Sequence, residues 1–182
     1  YPYSEDLAAL FAAKALDRPV KWVAERSESF VSDAHARDHV THATLALDSD
    51  GKFLALRVDT DANLGAAISN YGAAIPTVFY ATMVSGVYKI PAIAVRVRGI
   101  MTNTVPTDAY RGAGRPEATY LVERLVDLAA EATGIDRIEI RRRNFIPPSD
   151  FPYQSPLGLV YSEGAYDQCV DGALENADMK GY

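Results

Sequence analysis

The stretch Ala109-Tyr110-Arg111-Gly112-Ala113-Gly114-Arg115-Pro116-Glu117-Ala118 limits the folds open to this chain more than any other. Two glycines one residue apart permit left-handed backbone and a close approach to another group. Pro116 suits the first position of a helix, where its missing N–H costs nothing, and Glu117 suits the positive end of the helix dipole. A helix is predicted over residues 116–133, closed by Gly134. Its expected inward stripe is Ala118, Leu121, Val122, Leu125, Leu128, Ala129 and Ala132, with Glu117, Arg124, Asp127 and Glu131 facing water. A loop of this build offers free N–H groups to an anion, with Arg111 and Arg115 as charged supports. Taken alone, it reads equally well as a plain turn before a helix.

The remaining periodicities fill in an architecture. Ser4 suits an N-cap, and Leu7, Leu10, Phe11 and Ala15 recur at helical spacing in an alanine-rich stretch, so this helix is expected to be buried on most sides. Asp17-Arg18-Pro19 ends it, and Val20 to Val23 alternate like a short strand. Residues 39–47 read as a strand, Asp48-Ser49-Asp50-Gly51 as a turn, and 52–62 as the hairpin partner. In that partner Leu54, Leu56 and Val58 share one face, and Phe53, Ala55, Arg57 and Asp59 the other. Residues 63–76 show no period, and a short helix is predicted over 78–84. A strand over 93–101 sets Ile93, Val95, Val97 and Gly99 opposite Arg96 and Arg98. A short helix (136–142), a proline-rich irregular segment to Ser162 and a last helix (165–177) follow, the last with Val170, Ala173, Leu174 and Ala177 inward. The expected fold class is α+β, a mixed sheet with hairpins packed by helices and no internal domain boundary over 1–182.

Composition excludes several classes of function. A net charge of −6 leaves no basic surplus to neutralise phosphates, which argues against nucleic acid or an anionic membrane as partner. The single cysteine, Cys169, forms no intrachain disulfide or thiolate cluster, fits a reducing compartment and is expected to act as a small buried hydrophobe. No apolar run of about 18 residues suggests a membrane span, and a cytoplasmic location is expected. His39 and His42 have opposite strand parity, so with His35 they make a poor metal set. Arg141-Arg142-Arg143, on a short helix of an acidic protein, is expected to pair with carboxylates.

Several further segments, in order along the chain, carry a family resemblance. They are Tyr3-Ser4-Glu5-Asp6, Arg18-Pro19-Val20-Lys21-Trp22, Tyr88-Lys89-Ile90-Pro91, Thr102-Asn103, the loop Ala109-Tyr110-Arg111-Gly112, Ile140-Arg141-Arg142-Arg143-Asn144-Phe145 and Tyr161-Ser162-Glu163-Gly164. This succession resembles the molybdenum-cofactor-binding large subunit of the xanthine dehydrogenase, aldehyde oxidase and aerobic carbon monoxide dehydrogenase family. The resemblance extends over nearly the whole chain. It implies part of a molybdopterin-binding domain of molybdenum hydroxylases, in a segment of a longer polypeptide, as the non-methionine start also suggests. In the family a glycine loop precedes such a segment, and further cofactor contacts follow it.

The resemblance implies that Tyr110, Arg111, Gly112, Ala113 and Gly114 lie against the molybdenum end of the cofactor. Arg111 and neighbouring amides would help hold its anionic groups. The implied cofactor is molybdenum-molybdopterin in its cytosine dinucleotide form. The implied partners are a small-molecule substrate and iron–sulfur and FAD-binding subunits or domains. The implied activity is hydroxylation of aldehydes or N-heterocycles with water as oxygen source. The family's base is a glutamate far downstream with no counterpart here, so no catalytic residue and no metal ligand is expected in this chain. The segment alone would be an inactive structural or anion-binding module. Two positions depart from the family patterns. Gly112 stands where carbon monoxide dehydrogenases carry a copper-binding cysteine, and Ala113 where xanthine dehydrogenases carry a phenylalanine against the substrate ring. The loop over Gly112–Gly114 is expected to be exposed, and more mobile than the helix it feeds, once its family neighbours are removed.

Overall fold

The computed structural model describes residues 3–178. Helix α1 (Ser4–Leu16) and the short α2 (Arg26–Ser32) precede strand β1 (His39–Leu47), the long strand β2 (Phe53–Gly65) and strand β3 (Ala92–Met101). Helix α3 (Arg115–Thr133), helix α4 (Arg137–Asn144), a two-residue ladder of β4 (Tyr153–Gln154) with β5 (Val160–Tyr161), and helix α5 (Tyr166–Asn176) follow. The expected α+β class is the one observed.

The centre is a three-stranded mixed sheet in the order β1-β2-β3. β1 and β2 form the predicted hairpin around Asp48–Gly51, where the Asp48 carboxylate accepts from the N–H groups of Asp50 and Lys52 at 2.9 Å each. A register shift between Ala46 and Leu47 sets Leu47 opposite Phe53. Phe53 is therefore buried together with Leu56 and Val58 despite its opposite parity, while Leu54 turns outward, against the expected face assignment. β3 runs parallel to β2, so the second strand pair is a crossover and not a hairpin. The crossover carries a π-helical turn (Ile75–Tyr80) and a 3-10 turn (Ala81–Met83) where a helix over 78–84 was predicted.

The two sheet faces differ in kind. One carries Leu56 and Val58 with Leu45, Ile93, Val95 and Val97, and packs beneath α3 and the crossover residues Tyr80, Val84, Tyr88 and Ile90. The other carries cross-strand ion pairs: Arg96 with Asp59, and Arg98 with Asp61 at 2.6 Å. Arg98 also lies 3.7 Å from Asp59. Alternation along β2 and β3 sorts these residues, because side chains two apart share a face.

Helix α3 ends at Gly134 as predicted, in the left-handed conformation. Its buried line is Ala118, Val122, Val126, Ala129 and Ala130, while Leu121 and Leu125 are half-buried and Leu128 and Ala132 are exposed. The expected stripe was thus rotated. The helix is apolar along two neighbouring lines, and only the sheet decides which is covered. Asp127, expected in water, is half-buried because Arg141 reaches it at 3.0 Å. Arg141 also takes Glu123 at 2.8 Å, Arg142 takes Asp167 at 3.0 Å and also Asp171, and Arg143 takes Glu139 at 2.8 Å. The arginine run pairs with carboxylates as expected. Asn144 seals α4 to the hairpin: its Oδ1 accepts from Phe53 N–H at 2.8 Å, and its Nδ2 donates to the carbonyls of Gly51 and Ile140, both at 2.8 Å. These bonds satisfy a buried amide that would otherwise be costly.

Five expectations at the two ends are corrected. Helix α1 forms, with Tyr3 and not Ser4 as N-cap, but none of its residues is buried; Leu7, Leu10 and Phe11 are exposed. Spacing identifies an apolar face without saying what covers it, and no described element lies over this one. Residues 20–23 belong to no strand, since no neighbour offers them a ladder, and α2 was not anticipated. Cys169 is exposed, because α5 turns Tyr166, Val170, Gly172 and Leu174 part-way inward and leaves Ala173 and Ala177 exposed. Ion pairs from Arg142 and the Tyr166 ring, 5.8 Å from that of Phe145, anchor α5 instead.

Val126→Ala is expected to cost about 2 kcal/mol in urea unfolding of the chain, while Leu128→Ala stays within about 0.5 kcal/mol. Equal losses would place the expected stripe, and not the observed one, against the sheet.

Acid should weaken the fold in a defined direction. Hydrogen bonds from the amides of Glu139 and Ile138 hold Asp136 below its ordinary range, and bonds from Arg96 and Lys89 do the same for Asp59 and Asp150. As pH falls the unfolded chain takes up these protons first, so the stability they contribute is full above the ordinary carboxylate range and lost below it. The melting temperature is expected to fall from about pH 5 to about pH 3. Asp136→Asn, which keeps the cap without the titration, should flatten part of that decline.

Candidate functional site

The glycine loop crosses the gap between the crossover turn and the N-terminus of α3. Three successive residues have positive φ: Gly112 at 93°, Ala113 at 43° and Gly114 at 88°. A Cβ on Gly112 would lie 2.6 Å from Cδ and Cγ of Pro116, so the proline in the first turn of α3 also excludes a side chain here. A Cβ on Gly114 would lie 2.7 Å from the Ile75 carbonyl oxygen and 2.8 Å from the Tyr80 nitrogen. The loop closes on itself through Ala113 N–H to Tyr110 O at 2.8 Å and Arg115 N–H to Gly112 O at 3.1 Å. Gly114 O then accepts the first helical bond, from Ala118 N–H at 3.1 Å.

This geometry leaves donors unspent. Among the described residues, the amides of Arg111 and Gly112 donate to no protein acceptor, and the exposed Arg111 guanidinium makes no hydrogen bond or ion pair. Successive free N–H groups in a left-handed bend, beside an unpaired cation, form a surface suited to an anion. Arg115 does not join it. Its guanidinium lies over the Phe79 ring at 5.4 Å and reaches Gly112 O at 3.3 Å. The expectation of an exposed loop over residues 112–114 is corrected: Gly114 is buried and Gly112 and Ala113 are half-buried, while the preceding Tyr110 and Arg111 are exposed.

The floor beneath the loop is polar and ordered. His35 N–H donates to Pro106 O at 3.1 Å, and Asp108 N–H to His35 O at 2.9 Å. Asn63 accepts from Thr102 Oγ1 at 2.7 Å and donates to Asp38 at 2.8 Å and Thr104 at 2.9 Å, which places Thr102 in the support of the loop. A small cavity of about 20 Å³ lies among His39, Asn63, Asp108, Glu117 and the loop. His39 packs edge-on against Tyr80, its ring centroid at 5.0 Å, and burial pulls its pKa below the ordinary value against the opposing pull of Glu117 and Asp38. His42 faces the other side of β1 and is exposed. Among the described residues no set of three or more histidines, cysteines and carboxylates is arranged to hold a metal ion.

Sequence reasoning missed two contributors. Glu117, expected in water, is nearly buried, with its side chain 12% exposed, and Arg37 approaches it at 3.6 Å. Arg37 also donates to the Arg111 carbonyl at 2.6 Å, across 74 residues of sequence. No local pattern marks an arginine whose partners are that remote.

A left-handed glycine loop with free donors, on an α+β scaffold, is a surface that could take an anion. A model of the molybdopterin cofactor-binding domain family matches residues 1–145, and the chain belongs to that family. Over 181 residues it is 40% identical to the carbon monoxide dehydrogenase large chain of Hydrogenophaga pseudoflava, a match covering 97% of this chain and 22% of that one. It is 34% identical over 165 residues to the 6-hydroxypseudooxynicotine dehydrogenase complex subunit gamma of Paenarthrobacter nicotinovorans, covering 91% and 21%. Quinoline 2-oxidoreductase of Pseudomonas putida 86 superposes with a TM-score of 0.88 at 34% identity, covering 97% and 23%. The chain thus spans about a fifth of the length of the relatives it matches. No helix among its described residues is long and apolar enough to cross a membrane.

Gly114→Ala should destabilise the chain by roughly 1–3 kcal/mol, since it adds a left-handed strain and a clash with backbone atoms. Ala113→Gly should be neutral or stabilising by up to about 1 kcal/mol. Chemical denaturation checks both; a harmless Gly114→Ala would contradict the close approach.

Proposed function

We propose that this chain supplies one wall of the molybdopterin site in the catalytic subunit of a molybdenum-dependent hydroxylase. The observation that carries this reading is the Arg111 guanidinium, unpaired among the described residues, beside amides that are likewise free there, in a loop bent left-handed at residues 112–114. The residues present suit the cofactor: the donors match an anionic group, and Gly112 brings backbone, not side chain, to the surface. Tyr110, Arg111, Gly112, Ala113 and Gly114 would hold it, in a cytosine dinucleotide form. When bound, the cofactor supplies two-electron oxidation with water as the source of oxygen. The role of this chain is to bind and orient it; no side chain here is assigned as the base.

The substrate is proposed to be a small aldehyde or N-heterocycle. Iron–sulfur and FAD-binding subunits or domains are the proposed electron partners, and the cytoplasm the proposed location. Carbon monoxide is disfavoured despite the name of one relative, because Gly112 provides no thiolate for Cu(I). Ala113 brings no aromatic ring against a substrate, a contact worth on the order of 1 kcal/mol, so a strict purine preference is not expected. By itself the chain is proposed to be an inactive folded module.

Arg111→Ala in the full complex tests the assignment. It is expected to lower molybdenum content, turnover or both, because it removes a charge-assisted contact to an anionic ligand. Full molybdenum occupancy by elemental analysis, with unchanged turnover, would reject the loop as a cofactor contact. Copper-dependent carbon monoxide oxidation by the complex would reject the substrate reading alone.

A further inference from the structure

Arg37 stands in a conformation that a long side chain rarely adopts, with φ of 59°. Such strain persists only where the surroundings over-determine it, and here both flanks are tied down. On one side His35 is bonded through its N–H to Pro106 and through its carbonyl to Asp108. On the other, the Asp38 carbonyl accepts from Asn63 N–H at 2.9 Å and the Asp38 carboxylate from Asn63 Nδ2 at 2.8 Å. The bend projects the guanidinium across to the glycine loop, where three contacts converge. Its Nη2 donates to the Arg111 carbonyl at 2.6 Å, its plane lies over the Tyr110 ring at 4.8 Å, and its Nε is 3.6 Å from the Glu117 carboxylate at the start of α3. Carbonyl, ring and carboxylate belong to three different residues around the same turn.

We propose that Arg37 is the positioning residue of the cofactor loop. It holds the Arg111 peptide from behind, so that the Arg111 side chain and the free amides at 111 and 112 face the cofactor. The inference rests on the reading that this loop holds molybdopterin. A planar, multi-donor cation is required, because one group must hydrogen-bond a carbonyl, stack on an aromatic face and face a carboxylate together; an ammonium is a single point charge. The bond and the ring contact that Arg37 makes with the loop fall on the Arg111 carbonyl and the Tyr110 ring, so its proposed role is exerted through them.

The test uses the full enzyme complex with Arg37→Ala, Arg37→Lys, Glu117→Gln and, as reference, Arg111→Ala. Each is measured for molybdenum content, the Mo(V) paramagnetic resonance spectrum, kcat and KM, and melting temperature. Arg37→Ala and Arg37→Lys are both expected to alter the Mo(V) spectrum and to lower kcat by roughly tenfold or more, with KM changed little, since small misplacements cost rate steeply. Methylguanidinium should restore part of the Arg37→Ala loss. Glu117→Gln keeps the carbonyl and ring contacts of Arg37 and removes only the carboxylate charge, so it should give a smaller spectral change and a smaller fall in kcat than either Arg37 variant. If Arg111→Ala loses molybdenum while both Arg37 variants keep the wild-type spectrum, content and kcat, the positioning role is refuted and the loop assignment stands. If Arg111→Ala is itself silent, the loop reading fails and takes this inference with it. A Glu117→Gln variant that reproduces the Arg37 defects would assign them to the ion pair and overturn the proposal. Should Arg37→Ala fail to assemble, the spectrum and kcat of Arg37→Lys decide.

Discussion

The candidate site depends on one backbone-to-backbone approach. Gly114 packs so closely on the crossover turn that any side chain would reach the Ile75 carbonyl and the Tyr80 nitrogen. Tyr80 is fully buried, its hydroxyl 3.0 Å from Thr60 in the middle of β2, so the contact ties the loop to the centre of the sheet. Gly114 also begins α3, whose buried line covers that sheet. Loop, crossover turn and helix therefore share one fixed point. A flexible stretch becomes a shaped surface because its last residue has no room to move.

Charge distribution completes the arrangement. The chain carries a net charge of −6, and its carboxylates take up many of its arginines: Arg96 and Arg98 across the sheet, Arg141, Arg142 and Arg143 on α4, and Arg37 beneath the loop. These pairs fasten elements to one another. Arg141 joins α4 to α3, and Arg142 joins α5 to α4. Solvent-exposed pairs of this sort contribute little stability individually, and their effect is mainly to set register. Arg111 differs from these: it is held at its backbone by Arg37, and its side chain is unpaired among the described residues.

Much of this was legible one residue at a time. Strict alternation located β1 and β3, because a sheet with one apolar and one ionic face imposes a period of two. Gly134 and Asp136 marked the end of α3 and the start of α4, since caps are local chemistry. The glycine loop was legible for the same reason. What failed were choices between equivalent local options. Leu128 and Val126 are both apolar, and only contact with the sheet buried one of them. Val20 to Val23 alternate without a neighbouring strand to pair with, and Cys169 lies one residue off the line that α5 turns inward.

The sequence by itself determined where the chain bends and which stretches coil or extend, because glycine, proline, caps and periodicity act over a few residues. It also marked the loop from Tyr110 to Gly114 and its family. The tertiary structure alone decided that β3 lies parallel to β2, that Asn144 locks α4 to the hairpin, and that Arg37 reaches Arg111. Each of these joins residues far apart in the chain, and such partnerships follow from the shape of the packed core, which no local pattern encodes.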